Sequence, residues 1–123
     1  MREVRADGAP APVGPYSQAV VCGDLVFCSG QLGLDPATGA MAEGAVAQAR
    51  QALANLQAVL QAAGSSLDRA IKVTVYMTDL AHFPEVNKAY ADFFEPPFPA
   101  RTAIQVAALP KGGEVEIDVI ALR

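Results

Sequence analysis

Two segments of the chain, 70–77 and 115–122, carry hydrophobic residues at every second position, which predicts a β-strand in each. In the second strand one face is expected to be apolar, with Val115, Ile117, Val119 and Ala121. Its other face carries Glu116, Asp118, Ile120 and Leu122. In the first strand Ile71, Val73, Val75 and Met77 are expected on one face and Lys72, Thr74 and Tyr76 on the other.

Runs of strand-forming residues predict three further strands, at 18–21, 25–28 and 102–106. The first two are separated by Cys22, Gly23 and Asp24, whose turn chemistry predicts a β-hairpin. A short strand is also expected around 3–6. The proline-rich segment 9–15 excludes a helix before the hairpin, because proline lacks a backbone donor and restricts the residue before it.

Two segments show the three-to-four-residue spacing of an amphipathic helix. The first runs from Ala45 to Ala63 and is followed by Gly64, a candidate for the residue that ends it. The second begins near Pro84, which suits the first turn of a helix, and is expected to continue to about Phe94.

The order strand, strand, helix, strand, helix, strand, strand predicts an α+β fold, a mixed sheet with both helices on one face. We expect a single domain spanning residues 1–123. The sheet face away from the helices would carry Thr74, Tyr76, Ile120 and Leu122. Because that mixture is too apolar for solvent alone, this face is expected to contact another subunit.

Composition narrows the classes of function. The 123 residues are 52% hydrophobic and 18% charged, which argues against disorder. A net charge of −4 disfavours nucleic acid as a partner, since phosphates would be repelled. No apolar run approaches the roughly 20 residues needed to span a bilayer. The first residues lack a signal-peptide apolar region, so a cytoplasmic protein is expected.

The two cysteines, Cys22 and Cys28, lie at unequal distances from the hairpin turn and are not expected to form a disulfide. We expect both to be reduced, buried and inert. Together with the one histidine, His82, they fall short of a zinc site.

Segments along nearly the whole chain resemble the RidA family (reactive intermediate deaminase, also YjgF and endoribonuclease L-PSP). The first are Gly14-Pro15-Tyr16-Ser17-Gln18-Ala19-Val20 and Phe27-Cys28-Ser29-Gly30-Gln31. The middle of the chain adds Asp35-Pro36-x-Thr38-Gly39, Asn55-Leu56, Lys72-Val73-Thr74-Val75-Tyr76 and Asp79-Leu80. Pro99-Ala100-Arg101-Thr102 and Leu109-Pro110-x-Gly112 complete the match. Each segment alone is weakly specific, and their order and spacing make the set specific.

The resemblance implies a chorismate mutase-like fold assembled as a homotrimer around a central barrel, with ligand clefts between subunits. It implies hydrolytic deamination of 2-imino acids and enamines, such as 2-iminobutanoate and 2-iminopropanoate, to 2-keto acids and ammonia. The pyridoxal-phosphate dehydratases that release such compounds are the implied metabolic neighbours. Neither a metal nor a cofactor is expected, because a protonated imine is already a strong electrophile.

Two residues are the expected catalytic pair. Arg101 has the planar donor fork that binds a carboxylate at two points, and the resemblance assigns it that role; an ordinary surface arginine is the alternative. Glu116 is costly on a partly apolar sheet face unless it has a partner or a task. The resemblance favours a general base for an attacking water, and a charge that discourages edge-strand aggregation is the alternative.

The remaining candidates would bind substrate. Tyr16 would line the pocket, or else belong to the core. Ser29 and Gly30 would offer a hydroxyl and a close backbone approach, although Gly30 could mark only a bulge. Asn87 would lie near the site by the family pattern, and Gln18 is a weaker candidate of the same kind. Ala103 replaces a cysteine that some family members carry two residues after the arginine, so we expect only backbone groups to act there.

Two other functions remain open from the sequence. One is RNA cleavage or inhibition of translation, also ascribed to the family, which an acidic chain with one histidine supports poorly. The other is a non-catalytic module that binds small acids or acts like a chaperone, which would need Arg101 but not Glu116.

Overall fold

Seven strands and two α-helices form one sheet with a helical layer, in a computed structural model that describes all residues, 1–123. The strands are β1 (Arg2–Val4), β2 (Ala19–Cys22), β3 (Leu25–Cys28), β4 (Gln31–Leu32), β5 (Ala70–Met77), β6 (Ala100–Gln105) and β7 (Val115–Leu122). The helices are α1 (Ala45–Ala62) and α2 (Phe83–Ala91). Short 3₁₀ turns occupy Leu67–Arg69, Leu80–His82 and Pro110–Gly112.

The strands follow the order β1-β2-β3-β7-β5-β6, and β4 pairs with β7 beyond the end of β3. Only β5 and β6 run parallel, so the sheet is mixed. β6 forms one edge and leaves half of its backbone groups without a partner strand. The predicted α+β architecture, with a mixed sheet and two helices, is confirmed.

The core lies between the helices and one face of the sheet. α1 packs over β7, β3 and β4, and α2 packs beside α1. The apolar sets predicted for β7 and most of β5 are buried here: Val73, Val75, Met77, Val115, Ile117, Val119 and Ala121. Leu53, Leu56 and Leu60 of α1 cover them. A slip of β7 by one residue would turn Val115, Ile117, Val119 and Ala121 out of the core. Their burial therefore fixes the register of β7.

The opposite face of the sheet is left uncovered by the chain itself. Phe27, Ile104 and Leu122 are each 40% or 41% exposed there, and Ile120 and Val20 are partly exposed. The predicted mixture of polar and apolar side chains on this face is confirmed, since Thr74 and Tyr76 lie there beside Ile120 and Leu122. The subunit contact expected from that mixture stays a prediction.

Helix ends and strand ends differ in detail from the predictions. α1 ends as predicted: Gly64 adopts a φ of 82°, Ser65 N donates to Leu60 O (2.8 Å), and Gly64 N donates to Gln61 O (3.0 Å). This is the double hydrogen bond of a Schellman motif. α2 stops at Ala91 rather than Phe94, because Asp92 and Phe93 donate to carbonyls three residues back and tighten the last turn.

Three strand predictions need correction. β1 spans Arg2–Val4 rather than 3–6, and β6 begins at Ala100 rather than 102. Ile71 is 41% exposed rather than buried, because the register between β5 and β7 shifts between Ala70 and Lys72. β4 was not predicted, since two residues are too few to show a period.

The two thiols behave differently from each other. Cys22 pairs with Leu25 and Cys28 with Ala19, so the cysteines do not lie opposite one another. Cys28 is half-buried, and desolvation, followed by the charge of Asp118, raises the pKa of its thiol to about 12. Cys22 is exposed, which corrects the expectation that both are buried.

Neither helix is long and apolar enough to cross a membrane.

A glycine holds β4 against α1, and its replacement tests this packing. A Cβ on Gly33 would lie 2.5 Å from the Gln48 Cα, a backbone atom that cannot turn aside. We expect Gly33→Ala to lower the free energy of unfolding by about 1–3 kcal/mol, measured by urea denaturation. Gly14→Ala is the matched control, because its Cβ would only reach ordinary contact with Tyr16 at 3.7 Å. Equal stability of the two variants would contradict the packing described.

Candidate active site

A break between β3 and β4 opens the sheet next to β7. β3 pairs with Ile120–Leu122 and β4 with Glu116 and Ile117, so Ser29 and Gly30 span the gap between them. Gly30 lies directly against Glu116: a Cβ at this position would be 2.8 Å from the Glu116 Cδ and 3.0 Å from its Oε2. Gly30 thus interrupts the strand and leaves room for the Glu116 carboxylate, whereas its expected close approach to a substrate stays a prediction.

A cavity of about 580 Å³ opens at this break. Its lining includes four of the predicted site residues: Tyr16, Ser29, Gly30 and Glu116. Asp35 and Lys111 are the other charged residues in its wall. A volume in this range fits a small-molecule ligand.

Hydrogen bonds fix the wall formed by the N-terminal loop. Ser29 Oγ donates to Ser17 O (2.6 Å), and Ser29 N donates to Gln18 O (2.9 Å). Tyr16 is 49% exposed and its hydroxyl accepts a long bond from Val13 N (3.5 Å), so it is not a core tyrosine. The Gln18 side chain is buried and bonds to Ala6, Ala9 and Pro10, which makes it a structural residue that holds the loop.

The environment of Glu116 favours its protonated form. Burial, and after it the negative charge of Asp118, raise the pKa of the Glu116 carboxyl above its usual value. Asp118 lies two residues along the same strand face and accepts a hydrogen bond from the Tyr76 hydroxyl (3.1 Å). A carboxylate with a raised pKa is a stronger base, which suits proton transfer near neutral pH.

Arg101 lies elsewhere, on the edge strand β6, against the face of α2 that carries Phe83, Asn87 and Tyr90. Its guanidinium carbon is 4.7 Å from the centre of the Tyr90 ring and 5.2 Å from that of Phe83. Its Nη1 donates to Asn87 Oδ1 (2.6 Å). Two aromatic faces and one amide thus orient the cation.

No carboxylate of this chain pairs with Arg101. The ion pairs of the chain join Arg5 to Glu3, Arg50 to Asp92, and His82 to Asp79. The guanidinium is exposed, oriented and unpaired, and most of its donors are free to bind an anion.

Arg101 and Glu116 do not meet within one chain. Arg101 pairs with Val73, whose side chain is buried on the helix side, whereas Glu116 pairs with Tyr76 on the open side. Asn87 lies beside Arg101, and Ala103 follows on the same strand, half-buried against the core. The predicted site residues therefore form two groups: Arg101, Asn87 and Ala103 at the edge, and Tyr16, Ser29, Gly30 and Glu116 at the cavity.

Three residues at these groups were missed by the sequence analysis. Phe83 and Tyr90 were given no role at the site, although Phe83, Asn87 and Tyr90 follow each other at four- and three-residue spacing and so share one helix face. Lys111 gave no signal, because its position depends on the loop before β7. No group of three or more His, Cys, Asp or Glu side chains is arranged to hold a metal ion.

Comparison with known proteins agrees with these features. The family model described as Endoribonuclease L-PSP matches residues 6–123. The chain is 51% identical to "RutC family protein y4sK" of Sinorhizobium fredii over 118 residues, covering 95% of this chain and 94% of that protein. It is also 51% identical to the 2-iminobutanoate/2-iminopropanoate deaminase of Bos taurus over 116 residues, covering 94% and 85%.

Among solved structures, RidA from the Antarctic bacterium Psychrobacter sp. superposes with a TM-score of 0.97 at 48% identity. The alignment covers 100% of both chains. The arrangement of strands and helices described above is therefore that of a RidA structure.

The raised pKa of Glu116 can be tested directly. Asp118→Asn removes the charge of Asp118, one of the two causes of the raised pKa, and leaves burial, the other cause, unchanged. The pKa of Glu116 should therefore fall but stay above its usual value. Carboxyl ¹³C NMR of protein labelled at glutamate would follow the titration. Asp24→Asn, at the hairpin turn, removes the same charge far from Glu116 and should leave its pKa unchanged. A pKa that rises or stays fixed in Asp118→Asn would contradict the assignment.

Proposed function

This chain belongs to the endoribonuclease L-PSP family, which includes RidA and YjgF, and we propose that it hydrolyses 2-imino acids to 2-keto acids and ammonia. The substrates would include 2-iminobutanoate and 2-iminopropanoate, the compounds named for the bovine relative. The observation that carries the proposal is the Arg101 guanidinium, oriented by Phe83, Tyr90 and Asn87 and unpaired with any carboxylate of its own chain.

The guanidinium would bind the carboxylate that every 2-imino acid carries beside its reacting carbon. Two parallel hydrogen bonds fix both the position and the rotation of this group. Charged hydrogen bonds of this kind contribute about 1.5–3 kcal/mol each. The aromatic rings behind Arg101 keep the fork in one orientation, so less side-chain freedom is lost when the ligand binds.

The complete site is proposed to lie between two copies of the chain. Arg101 is on an unpaired sheet edge and Glu116 faces a cavity on the uncovered sheet face. A homotrimer that buries the apolar face of each subunit in a chorismate mutase-like barrel would bring one subunit's Arg101 to the next subunit's Glu116. Cyclic symmetry repeats that contact three times, so each trimer would hold three equivalent sites.

In the proposed reaction Glu116 orients and deprotonates a water molecule. The water oxygen adds to the carbon of the C=N bond, and the electron pair of that bond moves to nitrogen, giving a tetrahedral amino-alcohol. The nitrogen takes the proton from Glu116, and the Glu116 carboxylate then accepts the hydroxyl proton of the amino-alcohol. As the oxygen forms the carbonyl of the keto acid, the C–N bond breaks and its electron pair leaves with the nitrogen as ammonia. Imines also hydrolyse unaided in water, so positioning and proton transfer, which together supply several kcal/mol, are adequate for catalysis.

The proposal also covers the source of the substrates, the compartment and the remaining site residues. The substrates would come from pyridoxal-phosphate dehydratases acting on serine and threonine, and the cytoplasm is the expected compartment. Tyr16, Ser29 and Gly30 would contact the substrate from the cavity side, and Asn87 would act through Arg101. Ala103 would contribute backbone groups alone, which alanine leaves unchanged relative to cysteine.

RNA cleavage, for which the family model is named, receives less support from this chain. Its net charge is −4, and its one histidine, His82, is exposed beside Asp79 and outside the cavity. Steeply salt-dependent binding of RNA by the purified protein would revive this alternative.

Removal of the guanidinium fork tests the carboxylate clamp. We expect Arg101→Ala to lower kcat/KM for 2-iminobutanoate by at least about tenfold to a hundredfold, since charged hydrogen bonds of about 1.5–3 kcal/mol are lost. Arg101→Lys should restore little, because lysine lacks the planar fork. The assay couples a threonine dehydratase to ketobutanoate formation, with circular dichroism to show that the variant is folded. A folded Arg101→Ala variant with full activity would refute the clamp.

Replacement of the base separates catalysis from simple binding. Glu116→Gln should abolish turnover and still bind 2-oxobutanoate, because the clamp is intact. Mixing Arg101→Ala with Glu116→Gln and allowing subunits to exchange should raise activity above that of either variant alone, with about one quarter of all sites carrying both native groups. Activity that does not rise after proven exchange would contradict a site shared between subunits.

A further inference from the structure

Lys111 lies in the wall of the cavity that Glu116 lines, and the proposed reaction gives it no task. It is the one cation among the lining residues, where the other charged groups are Asp35 and Glu116. No carboxylate lies within 4.0 Å of its ammonium, since the ion pairs of the chain all involve other residues. Its charge is therefore available to a ligand.

The loop holds Lys111 in a backbone conformation that side chains rarely adopt. Its φ is 57° and its ψ is 25°, the left-handed region, where a Cβ crowds the next carbonyl. Pro110 precedes it, Gly112 follows with a φ of 68°, and Gly113 N donates back to Pro110 O (3.1 Å). Such conformations in residues other than glycine cluster at functional sites, where the surrounding structure supports them.

The two carboxylates of the cavity cannot supply what an anionic ligand group needs. Asp35 accepts hydrogen bonds from Ala37 N (2.7 Å) and Thr38 N (3.2 Å) and so shapes its own turn. Glu116 is the proposed base. A second negative group on the substrate would be repelled by both unless a cation met it, and Lys111 is the cation that the cavity offers.

The cavity has room for such a group. Its volume of about 580 Å³ lies in the range that holds drug-sized ligands, well beyond the needs of a three- or four-carbon acid. Its wall includes both Glu116, the proposed base, and Lys111 in the loop before β7. A substrate held by its first carboxylate at Arg101 would extend past Glu116 toward Lys111.

We propose that Lys111 is a specificity-determining residue that selects 2-imino acids with a second, distal carboxylate. The inference rests on the proposed function and adds a substrate class to it, the imines of acidic amino acids. Lys111 takes no part in the bond changes. It pairs with the distal carboxylate while the chemistry at the C=N bond proceeds as for the shorter substrates.

Binding of stable product analogues tests the pairing without any need for turnover. Calorimetric titration with 2-oxoglutarate and with 2-oxobutanoate gives a ratio of dissociation constants for each variant. Lys111→Gln should weaken 2-oxoglutarate binding by about tenfold more than 2-oxobutanoate binding. Lys111→Arg should restore most of the preference, and Arg2→Gln, the same loss of charge outside the cavity, should leave the ratio at the wild-type value.

Turnover provides the second readout. Imines of glutamate and of 2-aminobutanoate, generated by amino-acid oxidases, should show the same selective loss in kcat/KM for Lys111→Gln. A ratio that stays within about twofold of wild type in both assays would overturn the inference while leaving the proposed hydrolysis intact. Failure of the wild-type protein to bind 2-oxoglutarate would overturn it as well. Selective binding without turnover of any imine would instead support Lys111 and refute the proposed hydrolysis.

Discussion

The strict alternation of β7 is the constraint on which the site depends. Val115, Ile117, Val119 and Ala121 are fully buried, and they fix the register of the strand against β3, β4 and β5. A slip of one residue would place Glu116 in the core and Ile117 outside it. The same packing that stabilises the fold therefore holds Glu116 on the open face, beside the gap that Gly30 leaves. The carboxylate needs no dedicated support, because its position follows from its neighbours along the strand.

Within one chain, Arg101 and Glu116 lie on opposite faces of the sheet, so neither site group holds both proposed catalytic residues. Arg101 is oriented on the helix side of an edge strand, and Glu116 is on the open side two strands away. Bringing them together by a loop movement within one chain would require breaking the pairing of β5 with β6. Association through the uncovered apolar face leaves every strand intact, and the burial of Phe27, Ile104 and Leu122 would favour it. The proposed assembly thus resolves two features at once, an unpaired cation and an exposed apolar face.

Much of this arrangement could be predicted from the sequence. Periodicity identified both helices, β5 and β7, since buried faces impose spacings of two or of three to four residues. Runs of strand-forming residues identified β2, β3 and β6, and a short strand near β1 was also expected. β4 was not predicted because it has only two residues. The exposure of Ile71 was not predicted because a register shift does not change the hydrophobic spacing of β5. Tyr16, Ser29, Gly30 and Glu116 were expected at a common site, and they line one cavity. The aromatic support of Arg101 depends on how α2 lies against β6, and the position of Lys111 depends on a loop conformation, neither of which a pattern of hydrophobic residues specifies.

The groups around Arg101 and Glu116 contain few charged side chains, which is consistent with the proposed reaction. An imine carbon is electrophilic without a metal or a covalent cofactor, so the barrier that remains is largely one of orientation and proton transfer. Orientation calls for a rigid cation, which the two aromatic rings and Asn87 provide. Proton transfer calls for a base that holds a proton near neutral pH, and burial beside Asp118 moves the pKa of Glu116 in that direction. In the proposed reaction Asp118, which accepts a hydrogen bond from the Tyr76 hydroxyl, would therefore act on Glu116 rather than on the substrate.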